Sequence, residues 1–195
     1  MQTFTWAVSR TDATKVAALL PGSGYPVEGP VLFWVGEMLG ALGWHVQAVR
    51  WTPEDKLDRD PISLVTRAAE KAFTDSPPAG QRLIVAKSLS TLSIPWAEET
   101  QTSGVWLTPL LTDERIRTAI AGSSKDHLFI GGSEDKFWDG GRKSGSHGTF
   151  FEVPGADHAL QIGDDWRASQ RLQTTIFETI ENFVLRLEES WGGNT

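Results

Sequence analysis

The sequence has no cysteine and no hydrophobic run long enough to cross a membrane. Without cysteine the chain has no disulfide, no thiolate metal ligand and no cysteine nucleophile, so covalent catalysis would have to use serine or threonine. The absence also fits a reducing compartment. The amino-terminal residues lack the basic and apolar regions of a signal peptide, and a membrane-spanning helix needs about 18 or more apolar residues in succession. We therefore expect a cytoplasmic protein that does not enter a membrane.

Basic charge of the kind that binds nucleic acid is also missing. The 195 residues include 18 Lys and Arg against 25 Asp and Glu, for a net charge of -7. Nucleic acid is not an expected partner, since backbone binding needs a clustered basic face and these basic residues are scattered. With 39% hydrophobic residues and no repeat or linker, the chain is predicted to form one domain spanning residues 1–195.

The sequence alternates short apolar runs with longer amphipathic runs, which is the pattern of parallel strands joined by helices. The predicted strands are Phe4–Val8, Val16–Leu20, His45–Trp51, Arg82–Lys87, Gly104–Thr108, His127–Ile130 and Thr149–Val153. The predicted helices are Gly29–Leu42, Ile62–Phe73, Leu89–Ser93, Asp113–Ala121 and Trp166–Glu189. Interior runs such as Leu128–Ile130 are continuously apolar, as in strands covered on both faces. The fold class is therefore α/β.

Polar or glycine-rich segments follow four of these strands. They are Pro21–Tyr25, Ser88, Gly131–Asp135 and Pro154–His158. Open parallel sheets bind ligands beyond the carboxyl ends of their strands. In chain order the last three segments supply a serine, an acid and a histidine, which are the residue types of nucleophilic hydrolysis.

The segment Val85–Thr91 reads V-A-K-S-L-S-T and has the outline of a nucleophile elbow, a strand-turn-helix in which a serine projects above the sheet. The positions two residues to either side of that serine must be small. Here they are Ala86 and Ser90, where the G-x-S-x-G pattern has glycine. The alternative interpretation of Ser88 is an N-cap of the following helix.

With these segments in order, the whole chain resembles the α/β-hydrolase superfamily, in particular its small lid-less members related to dienelactone hydrolases. The run Leu128–Asp135 resembles the acid strand of that family, and Val153–Leu160 resembles its histidine loop. The resemblance implies an α/β-hydrolase fold, a three-layer sandwich around a mostly parallel sheet of about seven strands. It also implies a triad in the order Ser88, Asp135, His158.

In such a triad Ser88 is the nucleophile, His158 takes its proton as general base, and Asp135 accepts the other ring N–H. Three further carboxylates compete for the role of the acid. They are Glu134, Asp139 and Asp157.

The other histidines are expected to lie outside the site. His45 and His127 are at strand starts, the wrong edge of the sheet, and His147 is expected at the surface. A metal site built from Asp126, His127 and His147 would need side chains from opposite sheet edges to converge. Neither a metal nor another cofactor is therefore expected.

The expected oxyanion hole combines the backbone N–H of Leu89 with an amide from the loop after the second strand. In the family that this chain resembles the loop commonly reads H-G-x-G, and here it reads Pro21–Gly24. On that alignment Ser23 supplies the amide, with Gly24 or Tyr25 as alternates.

A lid is not expected, because the fifth predicted strand runs through Pro109–Leu111 directly into the next helix. The resulting open cleft would favour small acyl groups. Its predicted lining comprises Gly24, Tyr25, Lys87, Leu89, Pro109, Leu110, Phe137, Trp138 and Ala159. Lys87 is expected to have a pocket or surface role in preference to a catalytic one. Lys136 and Arg142 either contact an anionic substrate or are solvated loop charges.

These observations predict a serine hydrolase that cleaves an ester, a thioester or a related acyl bond of a small-molecule substrate. The alternative is a non-catalytic binding or scaffold protein of the same fold, because fold alone does not establish chemistry and both elbow glycines are absent. A homodimer is left open.

Overall fold

A computed structural model describes residues 1–11, 13–55, 59–138 and 146–192. Its centre is one seven-stranded sheet with the strand order β1-β3-β2-β4-β5-β6-β7. The strands are β1 Gln2–Thr5, β2 Lys15–Leu20, β3 His45–Arg50, β4 Gln81–Lys87, β5 Ser103–Leu107, β6 His127–Gly132 and β7 Thr149–Val153. Only β1 is antiparallel to its neighbour, and the other pairs are parallel. The carboxyl ends of six strands therefore meet at one edge.

Successive side chains of each strand point to opposite faces of the sheet, and helices cover both faces. In β4, for example, Leu83 and Val85 belong to one buried cluster and Ile84 and Ala86 to the other. The helices are α1 Pro30–Ala41, α2 Pro61–Thr74, α3 Ile94–Glu99, α4 Glu114–Ala121 and α5 Trp166–Gly192, with a 3₁₀ helix over Ser88–Ser93. Buried residues of α1 and α5 pack on the first face and those of α2, α3 and α4 on the second. The result is the predicted three-layer arrangement.

Local sequence signals begin several of these helices. Asp60 caps α2 by accepting a hydrogen bond from the Ser63 amide at 3.2 Å, and Pro61 occupies the first helical position. Asp113 caps α4 in the same way through the Arg115 amide at 2.9 Å. These caps set where each connecting segment turns back toward the sheet.

The seven predicted strands are all present; the bounds of β7 are as predicted, and the others differ at one or both ends. The prediction for the first strand was wrong by several residues, since β1 ends at Thr5 and not at Val8. The physical reason is a turn in which the Ser9 amide donates to the Trp6 carbonyl. The predicted helix Leu89–Ser93 is a 3₁₀ helix that begins at Ser88 and continues as α3, where Pro95 lies in the first turn.

The segment between β5 and α4 comprises only residues 108–113, so no lid is inserted there. The polar segments after β2, β4, β6 and β7 consequently meet at an open sheet edge. None of the helices in the described ranges is both long and apolar enough to span a bilayer.

Candidate active site

Ser88 stands at the turn between β4 and the 3₁₀ helix and has a left-handed backbone conformation, with φ of 52°. Non-glycine residues rarely adopt this conformation, and strained residues of this kind cluster at functional sites. Ala86 and Ser90 are both fully buried. Their small side chains let the strand and the helix approach closely, so the chain forms the elbow without the glycines of the G-x-S-x-G pattern.

The loop after β2 packs directly on this elbow. The Ser90 hydroxyl donates a hydrogen bond to the carbonyl of Pro21. A Cβ atom added at Gly22 would lie 3.4 Å from Ser88 Cβ and 3.3 Å from Tyr25 Cβ. The loop and the elbow are therefore nearly in contact at Gly22, and the hydroxyl of Ser90 anchors the loop from a position where the G-x-S-x-G pattern has glycine.

His158 lies on the loop after β7 and connects Ser88 with Asp135. Its Nε2 is 2.8 Å from Ser88 Oγ, and its Nδ1 is 2.7 Å from Asp135 Oδ2. Because the carboxylate accepts the Nδ1–H, the neutral ring leaves Nε2 free to accept the proton of the Ser88 hydroxyl. The His158 side chain is 34% exposed, so the ring borders open space.

Asp135 is held more firmly than a loop carboxylate in solvent. Its side chain is fully buried, and Oδ1 accepts a hydrogen bond from the Phe137 amide at 2.9 Å. The ring of Phe137 in turn meets the His158 imidazole edge-on, with centroids 4.9 Å apart. One oxygen of the carboxylate thus fixes its own loop while the other orients the imidazole.

Neither Glu134 nor Asp157 is bonded to the His158 imidazole. Glu134 and Asp157 are exposed, and Asp157 Oδ1 accepts hydrogen bonds from the amides of Ala159 and Gln161 at 2.8 and 3.0 Å. Asp157 therefore shapes the loop that carries His158. Asp139 lies outside the described residues, and among those described Asp135 is the carboxylate bonded to the imidazole.

The remaining histidines stand apart from Ser88. His45 and His127 are buried at the amino ends of β3 and β6, and His147 is exposed. Burial lowers the pKa of His127 to about 4. Within the described ranges, no group of three or more histidines and carboxylates is arranged to hold a metal ion.

Leu89 and Ser23, whose amides are predicted to form the oxyanion hole, both line the cleft. The amide of Leu89 follows Ser88 in the first turn of the 3₁₀ helix, where N–H groups have no acceptor within the helix. In the loop after β2, the Gly22 amide donates to the Tyr25 carbonyl at 2.9 Å. Ser23, the next residue, is exposed and lines the cleft together with Gly24.

The cleft has a volume of about 600 Å³. Its lining residues are Gly22, Ser23, Gly24, Tyr25, Lys87, Ser88, Leu89, Leu110, Phe137, Asp157, His158 and Ala159. Apolar side chains form its walls, and the polar groups converge on Ser88 and His158.

Two residues of the predicted lining do not border the cleft. Trp138 is buried because its indole packs against the backbone of Gly131, where a Cβ would lie 1.9 Å from the ring, and its N–H donates to Glu152 at 2.9 Å. Pro109 is buried as well, and the following Leu110 reaches the cleft in its place.

Lys87 is not at the surface. Only 1% of the residue is exposed, and its Nζ donates hydrogen bonds to Thr108 Oγ1 and to the carbonyl of His158, both at 2.8 Å. Burial lowers the pKa of the ammonium group to about 8, although the carboxylates of Asp135 and Asp157 act in the opposite direction. Of the two expected positions, pocket or surface, Lys87 has the first: it is buried and borders the cleft.

Sequence reasoning placed Thr108 at the end of a strand and did not identify it as a residue of the site. This residue directly follows β5 and has a left-handed conformation with φ of 48°. No motif marks it, because its importance comes from a side-chain contact with Lys87 across 21 positions of sequence. Lys136 is exposed, with its Nζ 4.9 Å from the Phe137 ring centroid, and Arg142 lies outside the described residues.

No family model matches the sequence, and a comparison with curated proteins also finds no match. Solved structures do match. Est1E from Butyrivibrio proteoclasticus with bound ferulic acid is 10% identical, with a TM-score of 0.70 over 95% of this chain and 94% of that chain. An α/β serine hydrolase without lid from Xanthomonas campestris is 15% identical, with a TM-score of 0.63 over 88% and 82%.

A dienelactone hydrolase from Anabaena variabilis is 16% identical, with a TM-score of 0.67 over 95% of this chain and 99% of that chain. Likenesses at such low identity establish the fold. The chain has the α/β-hydrolase fold without a lid, as the three sequence segments indicated.

Proposed function

We propose that the protein is a serine hydrolase that cleaves an ester, a thioester or a related acyl bond of a small substrate through an acyl-enzyme on Ser88. One observation carries the proposal. The strained Ser88 donates toward His158 Nε2 at 2.8 Å while His158 Nδ1–H donates to the buried Asp135 at 2.7 Å. This is the geometry of a nucleophile, its base and the group that orients the base.

In the first half of the reaction, Ser88 Oγ attacks the acyl carbon as its proton passes to His158 Nε2. The carbonyl electron pair moves onto the carbonyl oxygen, where the amides of Leu89 and Ser23 stabilise the negative charge. Asp135 remains ionised and stabilises the imidazolium. When the intermediate collapses, the bond to the leaving alcohol or thiol breaks, and the leaving group takes the proton from His158 Nε2.

In the second half, a water molecule takes the position of the leaving group. His158 Nε2 accepts a proton from the water as its oxygen attacks the acyl carbon. The bond to Ser88 Oγ then breaks, the serine recovers its proton from His158, and the carboxylic acid leaves. The cycle needs no metal, reductant or co-reactant other than water.

The open cleft supports small or surface-presented acyl groups as substrates. Its walls are the apolar side chains of Leu89, Leu110, Phe137 and Ala159 with the ring of Tyr25, and the short β5–α4 connection inserts no cover. A chain-length series of p-nitrophenyl esters and the matching thioesters would locate the preferred class. We expect kcat/KM to be highest for short acyl chains.

The proposal is tested with a fluorophosphonate probe, which labels a serine that a base activates. We expect the protein to be labelled, Ser88→Ala to be unlabelled, and Ser76→Ala to be labelled like the wild type. Ser76 is a suitable control because its hydroxyl donates to the Ala72 carbonyl at the end of α2, away from the cleft. No labelling of folded wild-type protein would support a non-catalytic binding protein instead.

A further inference from the structure

Lys87 is unusual because a complete lysine side chain is buried at the end of a central strand. Desolvating an ammonium group is costly unless hydrogen bonds compensate for the lost water. Nζ donates to Thr108 Oγ1 and to the His158 carbonyl, each at 2.8 Å, and lies 4.9 Å from the centroid of the Tyr25 ring. The ammonium group therefore bridges the loops that follow β2, β5 and β7.

One of its acceptors is held in a strained conformation. Thr108 has φ of 48°, and a β-branched residue in the left-handed region is a clear outlier. Its amide donates to the Ile130 carbonyl at 2.6 Å, which ties the turn to β6, while its hydroxyl receives the Lys87 hydrogen bond. Strain of this kind persists where surrounding contacts enforce it, and it is concentrated at functional sites.

The other acceptor belongs to the proposed general base itself. The imidazole of His158 is held at its two nitrogens by Ser88 and Asp135, but one third of the side chain is exposed and the residue lies on a loop. A hydrogen bond to its carbonyl fixes the main chain from which the ring projects. Misplacement of a catalytic group by about 1 Å can cost about 10²-fold in rate.

We propose that Lys87 is a positioning residue for the reaction, whose ammonium group holds the main chain of His158 against the strained Thr108 turn and so keeps Nε2 in line with Ser88 Oγ. This inference rests on the proposed function, because it assigns Lys87 a part in that same site. It differs from direct activation of the serine, since Nζ contacts the base's backbone and makes no hydrogen bond to Ser88 in the described structure.

The contact predicts a pH dependence. The titratable groups that face Lys87 are Asp135 at the end of β6, Asp157 and His158 on the loop after β7, and Tyr25 on the loop after β2. Burial lowers the pKa of Lys87 to about 8 against the effect of the two carboxylates. Below that pH the hydrogen bond to His158 is charge-assisted, and above it the bond weakens. Activity should therefore fall as the pH rises through about 8.

The first test replaces Lys87 with methionine, which has a similar length and no charge. We expect kcat for p-nitrophenyl acetate to fall on the order of 10²-fold, with KM changed less than about threefold and the alkaline fall in kcat lost. A kcat within about threefold of the wild type and an unchanged pH profile would overturn the proposal.

A second test restores the ammonium group. Because the chain contains no cysteine, Lys87→Cys has a unique thiol that bromoethylamine converts, under denaturing conditions before refolding, into a lysine analogue with sulfur in the chain. The wild type, treated in the same way, is the control. We expect at least about tenfold recovery of kcat over unmodified Lys87→Cys, and an alkaline limb at lower pH, because sulfur lowers the pKa of the amine. Refolded, fully alkylated protein without recovery would contradict the proposal.

A readout independent of turnover separates this inference from the proposed function. The proton NMR resonance of the His158 Nδ1–H, hydrogen-bonded to Asp135, should be sharp in the wild type and broadened or lost in Lys87→Met. If the wild type neither hydrolyses esters nor reacts at Ser88, the proposed function fails, and the resonance still decides whether Lys87 positions His158. If the wild type is active and the resonance is unchanged in Lys87→Met, only the positioning role fails.

Discussion

In the part of the chain that the structure describes, two buried or half-buried histidines each face a carboxylate, at opposite ends of the strands. At the carboxyl end, His158 donates Nδ1–H to Asp135 at 2.7 Å and presents Nε2 to Ser88. At the amino end of β6, His127 is 3% exposed, and its Nε2 lies 3.1 Å from Glu98 Oε1. The residue types are nearly the same, but the surroundings are not.

The two histidines differ in the group that contacts the ring nitrogen not facing the carboxylate. In His127, Nδ1 accepts the indole N–H of Trp106 at 3.0 Å, so neither nitrogen faces a hydroxyl or open space. The contact with Glu98 is short but poorly aligned, and Oε1 is left without a hydrogen-bond partner among the described residues. A histidine paired with a carboxylate can thus act as a base only where the ring nitrogen not bonded to the carboxylate faces a nucleophile at a cleft. Elsewhere such a pair is part of the packed core.

The largest expected effect is on kcat, where the two histidines should behave differently. His158→Ala should lower kcat for p-nitrophenyl acetate by about 10⁶-fold, as loss of the general base does in serine proteases. His127→Gln should stay within about threefold of the wild type, because Gln keeps an acceptor for the Trp106 indole and lies far from Ser88. The melting temperature of His158→Ala should change little, since its side chain is partly exposed. Retained turnover in His158→Ala would contradict the assignment of the base.

The next effect concerns the stability of the second pair. Burial lowers the pKa of His127 from 6.5 to about 4, so between these values the unfolded chain binds more protons than the folded protein. Stability therefore falls as the pH drops from about 6.5 to about 4, by up to about 3 kcal/mol from this residue. Urea unfolding of the wild type at pH 7 and pH 4.5 should show this loss.

His127→Gln is the matched variant, because it keeps the indole acceptor and removes the titration. Burial raises the pKa of Glu98, which acts in the opposite direction and is present in both proteins. The difference between the two pH dependences therefore reports on His127. Equal slopes in both proteins would mean that His127 does not resist protonation.

The fold could be predicted from the sequence because continuous apolar runs indicate its strands. The stretch Leu83–Ala86 is apolar throughout since both its faces are covered. Strand ends were harder to predict. In β1, for example, a turn at Trp6 ends the strand pairing although the apolar pattern continues. Such ends depend on contacts with distant residues that a local pattern does not contain.

The candidate site divides in the same way. Ser88, Asp135 and His158 follow β4, β6 and β7 in a recognisable order, and the structure brings them together. The burial of Trp138 and the contact between Lys87 and Thr108 had no comparable signal, because each depends on how side chains pack across the sheet. The periodicity of the sequence indicates at which edge of the sheet the candidate catalytic residues lie. It does not indicate which buried side chains position those residues.

The smallest expected effect compares two serines at the carboxyl ends of the strands. Ser90 and Ser93 are fully buried in the same 3₁₀ helix, and each hydroxyl donates to a main-chain carbonyl, that of Pro21 for Ser90 and that of Ser90 for Ser93. Replacing either serine with alanine should cost about 1 kcal/mol in the free energy of unfolding. Only Ser90→Ala releases the loop that carries the Ser23 amide, so it alone should also lower kcat, by about three- to tenfold. Urea unfolding and ester hydrolysis, measured on both variants, check this expectation. Equal activity in the two would mean that the hydroxyl of Ser90 supports the fold and not the oxyanion loop.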